Sequence, residues 1–232
     1  MGVSGTAITL MQGEPVHFEI LVEDKSGKIA LESFLGKILS PNGQDHTYKV
    51  ISYKGIGRIP RNLRGTTDPQ KRILLDQLPR LLRGYGKSFR EYHHAVVVVV
   101  DLDNKNCLNF KQELLNVLYA CNPKPKTLFR IAIEEGEAWL LGDRNAVKTA
   151  YPHAKVRVLD AYVQDSICGT WEKLADAIYL GGSQKLKQMG YPLTGQAKCE
   201  WAKTIAPHLD VENNQSKSFQ VFRDGIRNLA GS

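Results

Sequence analysis

The sequence lacks any apolar run approaching the roughly 18 to 20 residues of a membrane-crossing helix, so the chain is expected to be soluble. Its first residues also lack the basic segment and long apolar stretch of a secretory leader. Met1-Gly2-Val3-Ser4-Gly5-Thr6 fits the loose myristoylation pattern, but nothing else in the chain reinforces so short a motif. Cysteine is scarce. Cys107, Cys121, Cys168 and Cys199 form neither a CxxC pair nor a Cys/His cluster of zinc spacing, and read as free thiols in a reducing cytoplasm. Internal repeats and low-complexity stretches are missing as well. What remains is an ordinary globular composition, 42% hydrophobic and 24% charged, over 232 residues. That suffices for an α/β domain with extra helices.

Acids are rare in one region. Between Lys54 and Arg90 ten Lys and Arg face only Asp68 and Asp76, a local charge of +8 in a chain whose net charge is +7. The rest of the chain is therefore close to neutral. Lys54, Arg58, Arg61, Arg64, Lys71 and Arg72 would draw a nucleic-acid backbone to this segment by their summed field. The bland reading is a solvated basic face.

The hydrophobic pattern predicts alternating strands and helices. His17 to Val22 reads as a strand ending in Glu23-Asp24, and Lys28 to Leu39 has helical spacing at 29, 31, 34, 35, 38 and 39. Pro41-Asn42-Gly43 stops that helix. Thr47 to Tyr53 is a second strand, and a helix is expected from Pro69, kinked or divided at Pro79. Ala95-Val96-Val97-Val98-Val99-Val100 is an unalternating strand, covered on both faces as in a parallel sheet. A helix over 107–121, a strand from Thr127 to Ile133 and a helix from Glu134 to Leu141 follow. Asp143 is placed to cap the next short helix. The order implies a Rossmann-like α/β fold over 1–152. Helices over 170–180, 194–206 and 216–229 would form a C-terminal extension over 153–232, with Gly181-Gly182 in a loop.

In an open parallel sheet, ligands bind beyond the carboxyl ends of the strands. Three expected strands end there in acids: Glu23-Asp24, Asp101 with Asp103, and Glu134-Glu135 with Glu137. Carboxylates converging on one rim repel each other unless cations sit among them. Asp101 and Asp103, two apart in an extended segment, would point the same way with Leu102 turned to the core. Carboxylate-only ligation suits Mg²⁺ or Mn²⁺ rather than zinc. For Glu134 and Glu135 there is a plainer reading, acids stabilised at a helix start by its dipole.

The set Val22-Glu23 and Val100-Asp101-Leu102-Asp103 resembles the Toprim domain of topoisomerases, primases and the overcoming-lysogenization-defect nucleases, over about residues 16–140. Ile131 to Leu141, with Ser216-Lys217-Ser218-Phe219, is similar more narrowly to bacterial Toprim-like proteins encoded beside ABC- or AAA-type ATPases in suspected phage-defence operons. The resemblance implies a metal-dependent nuclease acting on DNA or RNA with an ATPase as partner, and leaves self-association open. Glu23 would be a metal ligand or general acid/base. Asp101 and Asp103 would hold a first metal, and Glu135 or Glu137 would complete the shell or hold a second. Relatives use a lysine near the metals to stabilise transition-state charge. Lys198 is the candidate for it, although an exposed helical lysine is the plainer reading of both Lys198 and Lys203. Two departures stand out. Asp24 follows the glutamate where glycine is common, and Asn104-Lys105-Asn106 replaces a third acid and glycine.

Other signals are weaker. Gly86-Lys87-Ser88 imitates the end of a phosphate-binding loop, but Leu81 occupies the required first glycine and no strand precedes it. His93-His94 lie at the opposite end of the valine strand from the acids and read as structural. A catalytically silent regulatory subunit of an ATPase complex is the alternative to a nuclease. A small-molecule phosphatase would leave the basic segment without a role.

Overall fold

The valine run becomes the third strand of a parallel sheet whose two faces are both covered. The computed structural model describes residues 14–40, 45–65, 68, 70–89 and 93–231. The expectations placed on 1–6, on Pro41-Asn42-Gly43, on Pro69 and on Arg90 lie outside these residues. The chain runs β1 (His17–Val22), α1 (Lys25–Leu39), β2 (Thr47–Ser52), α2 (Leu74–Ser88), β3 (His94–Asp101), α3 (Cys107–Tyr119) and β4 (Thr127–Ala132). Then follow α4 (Glu137–Leu141), α5 (Arg144–Ala150), α6 (Val156–Ala161), α7 (Thr170–Ile178), α8 (Gly182–Met189) and α9 (Tyr191–Ile205). A 3-10 turn (Ala206–His208) leads towards α10 (Lys217–Ala230).

The strands lie in the order β2-β1-β3-β4 with every pairing parallel. The fold is thus α/β and Rossmann-like. From β1 the chain crosses to β2 on one side and then returns to β3 on the other. The crevice between the carboxyl ends of β1 and β3 is therefore the topological switch point, the place where such sheets bind ligands.

Alternate valines of β3 serve different cores. Val97 and Val99 join Phe18, Ile20 and the α1 residues Leu31, Phe34, Leu35 and Ile38. Val96, Val98 and Val100 face Leu74, Leu78 and Leu82 of α2 and Phe110 and Leu114 of α3. Such side chains each stabilise the fold by about 1.5–3 kcal/mol when buried, which explains why this strand needs no polar alternation.

The C-terminal helices complete the first of these cores. Leu174, Trp201, Ile205, Phe219, Phe222 and Ile226 share one cluster with Phe18 and Phe34. The Phe34 and Phe219 rings meet edge-on at 5.3 Å, and Trp139 tilts against Phe222 at 4.8 Å. The extension expected from residue 153 is thus packed onto the sheet layer and shares its interior. Among the described residues no helix is long and apolar enough to cross a membrane.

Several local expectations are corrected. The second helix starts at Leu74, and Pro79 lies inside it without dividing it. Pro79 is the sixth of its fifteen residues and costs the helix one interior amide-to-carbonyl bond. The helix expected from Glu134 starts at Glu137, and Gly182 opens α8 instead of extending a loop. The short helices α6 and α8 were not anticipated. The Gly86-Lys87-Ser88 triplet forms the last residues of α2 instead of a loop that leads into a helix.

Candidate active site

Glu23 leaves the end of β1, and Asp101 is the last residue of β3. The parallel register that pairs Val22 with Val99 brings the two together, and the Asp101 amide donates to Glu23 Oε2 at 3.2 Å. Asp24, where the resembled family commonly has glycine, caps α1: its carboxylate accepts from the Gly27 amide at 2.7 Å and the Ser26 hydroxyl at 2.6 Å. Gly27 is required there. A Cβ on it would stand 2.7 Å from a Val22 methyl, so only glycine lets α1 start this close to the strand.

The third acidic strand end divides its work. Glu134 adopts a left-handed backbone (φ 22°), and its carboxylate accepts from the amides of Cys168, Gly169 and Thr170 and from the Thr170 hydroxyl at 2.6 Å. It caps α7, not the helix it precedes. These bonds outweigh burial and hold its carboxyl below the usual range. Glu135 accepts from the Trp171 amide at 3.2 Å. Glu137, the first residue of α4, has 5% of its side chain exposed.

Lys198 reaches into this rim from α9. Its Nζ lies 3.0 Å from Glu137 Oε2 and 3.9 Å from Glu135 Oε2, with 17% of the side chain exposed. The reading of Lys198 as an exposed helical lysine is therefore overturned, whereas Lys203 is exposed. A signal for this exists in the sequence. Thr194, Trp201, Ala202 and Ile205 form the buried stripe of α9, and position 198 falls on the same stripe.

Electrostatics follow from this packing. Burial pushes the Glu23 carboxyl up to about 7 against the Asp101 amide, which favours its charged form, and Asp24 and Asp103 add to the rise. Asp101 is raised by burial and then by Glu23, and Lys198 only partly offsets this. Glu135 is raised by burial to about 7, and Glu137 is raised by burial too, although Lys198 pulls both down. Burial opposes the Lys198 charge, but Glu137, Glu135 and Asp101 outweigh it and hold the ammonium firmly protonated. A cavity of about 40 Å³ opens beside Glu23, Asp101, Gly136 and Glu137, and Val22, Val99, Trp139 and Leu140 form much of its apolar wall.

Asp103 departs from expectation. The strand ends at Asp101, and Asp103 sits in a turn with φ 50°, its amide bonded to the Glu134 carbonyl at 2.8 Å. Residues two apart share a direction only in extended chain, so Asp101 and Asp103 do not act as the parallel pair expected. Asp103 is paired with Lys105 Nζ at 2.9 Å and stands at the outer rim. Leu102 is buried in the core as expected. Among the described residues no group of three or more His, Cys, Asp or Glu side chains is arranged to hold a metal.

The basic segment starts at the same edge. The Gly55 amide donates to the Glu23 carbonyl at 2.8 Å, so the loop after β2 is fastened to the acidic rim. Gly57 (φ 70°) allows the loop to fold onto α2, where a Cβ would meet an Ile73 methyl at 2.1 Å. Lys54, Arg58, Arg61, Arg64, Lys71 and Arg72 are all exposed. Arg72 donates to the Ser52 carbonyl at 3.0 Å, and Arg83 donates to the carbonyls of Leu63 and Arg64, which steadies the loop from α2.

Ser216-Lys217-Ser218-Phe219 has a structural role. Ser216 caps α10, Asp165 accepts from the Ser216 hydroxyl at 2.8 Å and the Ser218 amide at 2.7 Å, and the Trp139 indole donates to the Ser218 hydroxyl. This network locks α4, and with it Glu137, onto α10. The histidines lie at the other end of the sheet, where His17 stacks edge-on with His94. No protein-family model matches the chain, and neither a curated protein nor a solved structure is significantly similar to it.

Proposed function

We propose that the protein is a Mg²⁺- or Mn²⁺-dependent nuclease that cleaves phosphodiester bonds in DNA or RNA. The observation that carries this reading is the meeting of Glu23 and Asp101 at the switch point, beside Lys198 and the root of a basic loop. Magnesium is commonly held by one or two carboxylates, with water and substrate phosphate filling the remaining positions. Glu23 and Asp101, two half-buried carboxylates linked through the Asp101 amide beside a small cavity, fit that demand; burial is the main cause of their raised pKa values, and neighbouring acids add to it. Glu23 and Asp101 would hold the ion, with Glu135, Glu137 and Asp103 around it. A divalent cation there supplies Lewis acidity towards a phosphate oxygen and lowers the pKa of water.

The chain's own groups divide the remaining work. Lys54, Arg58, Arg61, Arg64, Lys71 and Arg72 hold the phosphate backbone without reading sequence. Lys198, fixed by Glu137 and Glu135, presents a permanent positive charge to the negative charge that develops on the phosphate. An effector role in bacterial anti-phage defence, with an ABC- or AAA-type ATPase as partner, extends this reading on the resemblance alone.

The test is cleavage of single- and double-stranded DNA and of RNA with Mg²⁺ or Mn²⁺, comparing the chain with Asp101→Asn. A loss on the order of a hundredfold or more is expected for the variant. Equal cleavage by both, or cleavage indifferent to divalent ions, sinks the reading. One observation favours a silent regulatory subunit instead. Lys198 and Lys105 already neutralise Glu137 and Asp103 without any added ion. That reading gains if the chain assembled with its ATPase shows no metal-dependent cleavage.

A further inference from the structure

We infer that Lys198 stands in place of a second metal ion, so that the rim takes a single divalent cation, on Glu23 and Asp101. The inference rests on the metal-dependent reading above and specifies its stoichiometry. A paired-ion centre needs two cations about 3.5–4 Å apart, clamped between shared carboxylates. The rim carboxylates that could serve a second ion are already engaged. Glu137 and Glu135 face Lys198 Nζ at 3.0 and 3.9 Å, and all three side chains are at most 20% exposed.

The ammonium is anchored from behind. Trp201 and Ile205 seat α9 in the core that also contains Leu31, Phe34, Trp139 and Leu140. Lys198 cannot leave without leaving Glu137 buried and unpaired, and a second divalent ion on these carboxylates would stand against its positive charge. Asp103 is likewise engaged, by Lys105 at 2.9 Å. Asp24 is committed to the cap of α1. Among the described residues Glu23 and Asp101 form no ion pair, and the bond that joins them comes from a backbone amide.

The decisive experiment counts Mn²⁺ bound to the full chain, from loss of the free-ion signal in electron paramagnetic resonance, without reference to activity. One ion per chain is expected for the wild type and for Lys198→Arg, and two for Lys198→Met, in which Glu135 and Glu137 become available. Asp101→Asn should bind at least tenfold more weakly. Two ions on the wild type would overturn the inference while leaving the metal-dependent reading standing. A single ion on folded Lys198→Met would also overturn it, because the ammonium would then not be what excludes the second. If Lys198→Met fails to fold, the wild-type count still decides. No Mn²⁺ on the wild type would remove the metal-dependent reading, and the inference with it.

Discussion

Two charged regions leave the same end of the sheet. In the acidic rim, Glu23, Asp101, Glu135 and Glu137 are drawn from three strand ends far apart in the sequence, pressed together, and raised in pKa by burial. In the loop after β2, Lys54, Arg58, Arg61, Arg64, Lys71 and Arg72 are neighbours in sequence and exposed to water. Burial disfavours the charged forms of the rim carboxyls, which a cation would favour under the proposed function. The loop offers its charge outward. Rim substitutions should therefore move stability and ion binding, whereas loop substitutions should move polyanion binding alone.

The largest effect is expected at Lys198. Lys198→Met leaves Glu137 buried without its partner and should cost about 3–5 kcal/mol in urea denaturation at pH 7. The loss should shrink at pH 5, where protonation removes the uncompensated charges. An unchanged midpoint at pH 7 would make the rim no different from the surface.

The next effect is a pH dependence of the ion-free protein. Glu23 and Glu135 have folded pKa values raised to about 7 from 4.5. The folded state thus binds their protons more tightly than the unfolded state does. Their stabilising contribution is fully present below about pH 4.5 and is lost as pH rises through about 7, by about 1.4 kcal/mol per pH unit for each group. Thermal melts between pH 5 and 8 should fall in chelator, and Mg²⁺ should flatten the slope. Melts that rise with pH in chelator would contradict the burial of these carboxyls.

A smaller loss separates Glu134 from its neighbours. Glu134→Ala removes the cap of α7 and leaves the part-buried Gly169 and Thr170 amides unsatisfied, at a cost of roughly 1–3 kcal/mol. Mn²⁺ affinity should barely change. A large loss of affinity would move Glu134 into the ion site.

The smallest effect on stability belongs to the loop. Replacing Arg58, Arg61 and Arg64 by Gln should leave the melting temperature within about a degree. It should weaken nucleic-acid binding regardless of sequence and lower the salt dependence by about one unit of slope per residue. An unchanged salt dependence would place the polyanion elsewhere.

Much of the fold was legible in the sequence, because burial on both faces writes an unbroken valine run and the acids mark the strand ends. The site was legible in part. Glu23 and Asp101 follow from strand ends meeting at one rim, but the pairing of Asp101 with Asp103 assumed an extended chain where the backbone turns at φ 50°. The acids at 134–137 looked like one helix start, yet one caps α7 across the fold and another meets a lysine, and neither partner is near in sequence. Lys198 and Lys203 differ only by about 140° of rotation around one helix. Which of them faces the rim depends on how α9 docks. The position of Lys198 on the apolar stripe with Trp201 and Ile205 was the available signal.

A crystal soaked in Mn²⁺, with anomalous differences measured near the manganese edge, tests the central claim most directly. A single peak between the carboxylates of Glu23 and Asp101, with Lys198 still against Glu137, is the predicted result. Crystals of intact protein that show no peak there, or a peak at Glu135 and Glu137 with Lys198 displaced, would contradict it.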